Sequence, residues 1–430
     1  MSEGQAAEAE RAARRLDLDW VRIGCFALLI LYHVAMFYAP WSWNAKSPRP
    51  QSWLPALMVG AHPWRLSLLF LVSGAATRFV ARGTSPGVLA RRRVLRLLPP
   101  LLFGMLVVVP PQSWVQVAEM LHQPPRPYGA FWIRYVTASG CWCDSAECLI
   151  TPAWNHLWFV AYLLAYTLGL TAVLAAAPGA LRTAERLTGR ALSGAGVLLW
   201  PALWCVAVRL TLAPHFPDTY ALVGDWTLHA VSVPAFLFGY LIAQADGVWA
   251  ALVRFRWSAA ALALAGWAAL AAGELAWPVG GVTPPQLARR VLRVAYGVDQ
   301  WAWITAVLGF ARLHLATADG PARRYLTEAI FPFYVVHQTA TVVAGHFLAL
   351  LHLPLAVEAL GVTAATALAC VAVFEVVRRV GWLRPLLGLR RRAPSAHRLA
   401  APLAGVGLGA AGEHAVLRQD VGDWDVAERG

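Results

Sequence analysis

Ten apolar stretches recur along the chain, at about 19–40, 62–82, 94–111, 154–176, 193–213, 226–245, 256–277, 290–314, 327–351 and 355–380. Each is near the 18–25 helical residues needed to cross roughly 30 Å of hydrocarbon. The second, eighth and ninth are interrupted by Arg65, Arg78, Arg293, Asp299 and His337. The pattern predicts an all-α, polytopic transmembrane helix bundle of about ten spans. The polar start, MSEGQAAEAERAARRLDLDW, runs into the first apolar stretch without a small-residue cleavage site, which predicts a retained first helix. Three parts are expected: a cytoplasmic segment 1–18, a membrane domain 19–381, and a cytoplasmic, largely disordered tail 382–430, which lacks a periodic apolar face.

Composition agrees with a bilayer. Of 430 residues 59% are hydrophobic and 14% charged, more apolar surface than a soluble domain carries. The net charge of +13 raises the question of nucleic acid, but the cations sit in short segments between apolar runs and not on one soluble face. They follow the positive-inside pattern. Arg82 and Arg91 to Arg93, then Arg182, Arg186 and Arg190, then Arg254 and Arg256, then Arg323 and Arg324, fall on alternate connections, and Arg378, Arg379, Arg384 and Arg390 to Arg392 follow the last span. The intervening connections hold far fewer, among them Lys46, Arg49, Arg126 and Arg134, with almost none around 214–225 and 351–355. Both termini are therefore expected in the cytoplasm, with no nucleic-acid partner.

The segment 112–153, rich in Pro, Trp and Gln, is expected to be a long extracytoplasmic connection. Its CWCDSAEC contributes Cys141, Cys143 and Cys148, which on an oxidising side favour one disulfide and leave one cysteine odd. A metal would want a fourth ligand that no nearby His supplies, so no metal site is expected. Cys25, Cys205 and Cys370 lie in apolar spans as packing residues.

The chemistry is expected where polar groups interrupt the spans, because ionisable groups in hydrocarbon are costly and face a protein interior or a wet cavity. Arg22 and His33 are eleven residues apart, which on a helix returns to within roughly 20° of the same face and rises roughly 16 Å. Arg22 also suits a snorkelling interfacial cation, and His33 a histidine bonded to a neighbouring helix. As a functional group His33 suits a general base near neutral pH. Arg65 and Arg78 mark the two ends of the second span, and Arg93 and Arg96, at i and i+3, share a helix face suited to phosphate. Trp154, Asn155, His156 and Trp158 open the fourth span at the outer boundary. Tyr334, His337 and Gln338 lie at mid-depth in the ninth, beside Pro332, whose freed backbone groups must be satisfied in the bundle. Asp225, His229, Asp299 and Glu375 read as structural polar groups.

These stretches together, LDLDWVRIGCFALLILYH, HPWRLSLLFLVSGAATRF, RRRVLRLLPPLLFGMLVVVPPQ, AWNHLWFVAYLL and FPFYVVHQT, resemble the acyltransferase 3 family of integral membrane acyltransferases, and within it the glucan biosynthesis C type. The resemblance spans roughly 17–380. It implies that an acyl group, acetyl or succinyl, moves from a cytoplasmic acyl-coenzyme A, used as donor substrate with no bound cofactor, to a hydroxyl of an extracytoplasmic glycan such as a periplasmic glucan, at the inner (plasma) membrane. It implies catalytic roles for His33 and Arg22, and contact with coenzyme A phosphates for Arg93 and Arg96. With Arg78 added on the donor side, the outer residues Arg65, Trp154, Asn155, His156, Tyr334 and His337 are the expected substrate contacts. Partners are then the bilayer, the donor, the glycan and, where an acyl group is handed on, envelope glycan-assembly proteins. The competing readings are a transporter of an anionic glycan or metabolite along an Arg/His-lined path, disfavoured by the lack of an internal repeat, and a non-catalytic scaffold.

Overall fold

The computed structural model describes residues 15–119, 127–143 and 148–391. Fourteen helices follow in order among the described residues: α1 (Leu16–Tyr38), α2 (Leu54–Met58), α3 (Arg65–Ala81), α4 (Pro86–Phe103), α5 (Pro110–Glu119), α6 (Tyr128–Val136), α7 (Trp158–Ala176), α8 (Pro178–Leu192), α9 (Gly196–Thr211), α10 (Trp226–Ile242), α11 (Asp246–Ala276), α12 (Gln286–His314), α13 (Pro321–Ala349) and α14 (Leu355–Arg379). β1 (Trp142–Cys143) and β2 (Cys148–Leu149) form an antiparallel hairpin, pairing Trp142 with Leu149.

By length and composition five segments are apolar enough to cross a membrane: α1, the continuous Pro86–Glu119, Asn155–Ala176, α11 and α14. The pair α8 and α9, bent by 107°, adds a sixth if counted as one span. The ten-stretch pattern is thus not reached on apolarity alone. α3 and α10 have 17 residues each, a little short of a full crossing. α12 and α13 carry Arg289, Arg290, Arg293 and Asp299, and Arg323, Arg324 and Glu328, which break their apolar runs. All four are nevertheless built into the bundle, α3 against α10, α12 against α11 and α9, and α13 against α14 and α1. The chain is a multi-pass membrane protein, held together by a core cluster from Leu18 to Leu389.

Two expected connections are helical instead. Arg182, Arg186 and Arg190 lie on α8, and the segment 112–153 continues the preceding helix as α5, then supplies α6 and the hairpin. Pro-Pro at 110–111 does not end the helical path, because the fixed φ and missing N–H of proline are tolerated in a first turn. A π-helical turn, Gly104–Val108, precedes it, and two of its carbonyls are bonded from elsewhere: Leu106 O by Trp132 Nε1 at 2.9 Å and Val108 O by Thr339 Oγ1 at 2.7 Å. This carries Gln112, on α5, into the bundle interior, where it is fully buried. The hairpin is closed by a Cys143–Cys148 disulfide, and Cys141 is the odd, exposed cysteine. Residues 382–391, read as the start of a disordered tail, fold back on the bundle through a turn at Pro385–Leu387; residues 1–14 and 392–430 of the expected terminal segments lie outside the described residues.

α1 is packed by α2, α3, α12, α13 and α14. Its first-turn acids, favourable at a helix N-terminus, also tie it to its neighbours. Asp17 pairs with Arg15 at 2.6 Å and faces Arg312 of α12 at 3.9 Å, and Asp19 pairs with Arg323 of α13 at 2.6 Å.

α3 and α10 meet backbone to backbone. A Cβ on Gly74 would lie 1.9 Å from Phe236 O, and one on Gly239 would lie 1.8 Å from Leu71 O. Small residues let membrane helices approach this closely. Gly74→Leu is expected to force the pair apart, an overpacking cost of about 1–3 kcal/mol or more. Thermal unfolding in detergent checks it: the midpoint falls for Gly74→Leu, while Gly169→Ala, where no atom lies within 4 Å of the new Cβ, behaves as wild type.

Candidate active site

A cavity of about 680 Å³ lies among the ends of α1, α3 and α7, the middle of α13 and the segments before α2 and α10. Tyr32 and His33 of α1, Arg65 of α3, Trp154 to His156 before α7, Tyr220 and Tyr334 all line it. Its wall is thus aromatic with a few polar groups.

Helix α1 presents His33 to α13 with an end-on imidazole contact: His33 Nδ1 and His337 Nε2 are 2.7 Å apart. The tautomers follow from the far side of His337. Its Nδ1 lies 2.7 Å from the Tyr334 carbonyl, which only accepts, so His337 Nδ1 carries the proton and Nε2 is the acceptor. His33 therefore donates from Nδ1, and its lone pair is on Nε2. His33 is the member of the pair that lines the cavity, stacked on Trp43 with centroids 6.0 Å apart, whereas His337 is fully buried. This is the arrangement of an oriented base: one nitrogen anchored, the other available to a hydroxyl.

A third imidazole stands beside the pair. His156 lies 5.2 Å from His337 between ring centroids, and its Nε2 donates to Val335 O at 3.0 Å. Its Nδ1 faces Gln112 Nε2 at 3.4 Å. Gln112 Oε1 accepts from Gln338 at 3.0 Å, Gln338 also donates to Asn44 Oδ1 at 3.0 Å, and Asn44 donates to Gln116 at 2.8 Å. Three of these amides come from α5 and α13, and the relay holds the wall in place because buried amides are costly when unpaired. Tyr334 OH donates to His156 O.

Arg65 is buried, its guanidinium 3.5 Å from the centroid of the Tyr32 ring and donating to Ala61 O and His62 O at 3.3 and 3.1 Å. Tyr32 OH in turn meets His62 Nδ1 at 2.7 Å. Arg65 Nε and Asn155 Nδ2 are buried donors without a partner among the described residues, groups that a polar ligand would satisfy.

Eleven residues back along the unbroken α1, roughly 16 Å from His33, is the second cluster. Arg93 of α4 lies within electrostatic range of Arg22 and Arg96, and Arg96 of Arg390. Arg93 donates to Thr77 Oγ1 of α3 at 2.9 Å while its Nε is buried without a partner, and Arg22 reaches Thr327 O of α13 at 3.5 Å. Arg22 and Arg93 are half-buried and Arg96 and Arg390 exposed, so four like charges gather at this end of α1, a repulsion that a bound anion would offset.

The comparison with known families decides the class. An acyltransferase domain model of the acyltransferase 3 family matches residues 15–375. The chain belongs to this family. It is an acyltransferase of the membrane. No curated protein and no solved structure matches.

In this acyltransferase the eleven expected site residues fall into two groups and one outlier. His33, Arg65, Trp154, Asn155, His156 and Tyr334 line one cavity, and His337 stands behind His33. Arg22, Arg93 and Arg96 gather at the other cluster. Arg78 turns away to Glu185 of α8, at 2.9 Å, and to the Tyr240 ring. Missed were Gln112, Asn44, Trp43, His62, Tyr220 and Arg390. His62 and Gln112 carried a local signal in HPWR and PPQ, each a polar residue against an apolar run. Asn44 and Tyr220 sit in connections with no such contrast.

His337→Ala is expected to lower kcat about 100-fold by freeing the His33 ring, with donor KM nearly unchanged, and His33→Ala to lower it about 1,000-fold or more. Steady-state kinetics on purified variants of equal monodispersity checks both; equal activity of His337→Ala and wild type would separate the pair from the chemistry.

Proposed function

We propose that this protein is a membrane O-acyltransferase that moves an acetyl or succinyl group from cytoplasmic acyl-coenzyme A to a hydroxyl of an extracytoplasmic glycan, of the periplasmic glucan type. In this reading it sits in the inner (plasma) membrane with about ten crossings and both termini cytoplasmic, the shorter and more polar α3, α10, α12 and α13 crossing within the bundle. The observation that carries the reading is the His33 imidazole, anchored at Nδ1 by His337 and bordering a cavity whose walls are aromatic rings and amides, the surfaces on which a sugar stacks and hydrogen-bonds.

The chemistry follows from the tautomer. His33 Nε2 takes the proton of the acceptor hydroxyl as its oxygen bonds to the thioester carbonyl carbon. The carbon–sulfur bond then breaks, and the thiolate leaves with the proton returned by the imidazolium. His337 Nε2 accepts from His33 Nδ1–H throughout, so the imidazolium forms without losing its anchor. Arg22, Arg93 and Arg96 hold the anionic end of the donor, and its extended pantetheine arm spans the distance along α1. Arg65, Trp154, Asn155 and His156 contact the acceptor or the acyl group. Arg78, tied to Glu185, braces α3 against α8 in this scheme.

Mass spectrometry of periplasmic and surface glycans tests it, comparing cells that express wild type or His33→Ala at equal membrane abundance. A mass increment of 42 or 100, for acetyl or succinyl, is expected with wild type alone. Glycans unmodified in both, in a host supplied with the acceptor, would overturn the assignment.

A further inference from the structure

We infer that the segment 380–391, which follows the last helix, completes the donor's phosphate site: Arg390 is a donor-binding cation and Arg384 positions it. The inference rests on the reading of Arg93 and Arg96 as donor contacts.

The chain leaves α14 at Arg379 and reverses in a turn, Pro385–Leu387, that packs on α4, the helix that carries Arg93 and Arg96. Leu387 and Leu389 are buried against the bundle, so the turn is anchored from both sides. Gly388 makes the reversal: its φ of +73° is in the left-handed region, and a Cβ there would lie 2.4 Å from the Phe331 ring. The chain that emerges is directed back toward α4 and not away from it.

Arg384 locks this shape. It is 8% exposed, and its guanidinium spends every nitrogen on the fold: Nε donates to Arg390 O at 2.7 Å, one terminal nitrogen to Arg378 O at 2.8 Å, and the other to Glu328 of α13 at 3.0 Å. The first of these bonds holds the backbone of Arg390 itself. The Arg390 side chain, by contrast, is exposed and within electrostatic range of Arg96. One arginine is buried to hold the next within range of Arg96, which itself neighbours Arg93, an arrangement that costs repulsion unless a polyanion binds. Coenzyme A has such an end, with a diphosphate and a 3′-phosphate.

Binding of coenzyme A to the purified full chain, by calorimetry in detergent, tests the inference with kinetics alongside. Arg390→Gln is expected to weaken coenzyme A about 10-fold and to raise donor KM with kcat unchanged, as one lost charge-assisted contact does. Arg384→Ala is expected to raise donor KM comparably, and Arg384→Lys to recover little of it, since one ammonium cannot span three acceptors. Dephospho-coenzyme A separates the two phosphate sources: the Arg390→Gln penalty vanishes with it if the 3′-phosphate is the contact, and persists if the diphosphate is. Wild-type affinity in Arg390→Gln, with Arg93→Gln weakened, would overturn the inference and leave the donor site standing. No binding of coenzyme A to wild type would overturn the donor-site reading and the inference with it.

Discussion

The 2.7 Å contact between His33 and His337 is the interaction on which the rest of the site depends. An imidazole alone in an apolar bundle would be paired with whatever carbonyl lay nearest, and its tautomer set by accident. Here the order runs from Tyr334 O through His337 to His33, and each proton position is dictated by the one behind it. The backbone carbonyl at the end of the relay belongs to α13, so the His33 ring is only as well placed as the packing of α13 against α1. The arrangement is that of a base held by an orienting partner, with a neutral ring in the place an acid occupies in serine hydrolases. A neutral partner stabilises the imidazolium less, but adds no buried negative charge in a hydrocarbon setting.

That packing has visible supports. Asp17 and Asp19 at the start of α1 are held by Arg15, Arg312 and Arg323, so the helix that carries Arg22 and His33 is anchored to α12 and α13 at one end. At the other end the Gln112–Gln338–Asn44 amides join α5 and α13 to the segment after α1. The glycine crossing of α3 with α10 fixes Arg65 and Thr77, which serve the cavity and the arginine cluster respectively. One rigid helix thus sets the separation of two sites of opposite chemistry, cationic at one end and aromatic at the other.

Much of this was legible because membranes are strict about polar groups: each His or Arg interrupting an apolar run marked a place where the protein must supply a partner. Arg22, His33, Tyr334 and His337 were readable for that reason, as were Trp154 to His156. The same rule is silent about which partner is supplied. Arg78 looked like a donor contact, but its partner, Glu185, lies on a helix that reads as a basic loop. Arg390 was hidden among tail arginines, because only the reversal at Gly388 brings it back. Hydropathy counted ten apolar stretches where five segments satisfy length and apolarity, since α3 and α10 have 17 residues each and charges interrupt the apolar runs of α12 and α13. The cysteine pairing turned on local geometry: Cys143 faces Cys148 across a hairpin, and three cysteines allow three pairs.

The central claim is that the two ends of α1 serve the two substrates of one transfer, the donor at the arginines and the acceptor at His33. The direct measurement is transfer of a radiolabelled acyl group in sealed proteoliposomes of one orientation. With acyl-coenzyme A on the arginine face and glycan on the opposite face, labelled glycan is expected, and it is expected to disappear when the two substrates are exchanged across the membrane. Equal transfer with both substrates confined to one face would contradict the account.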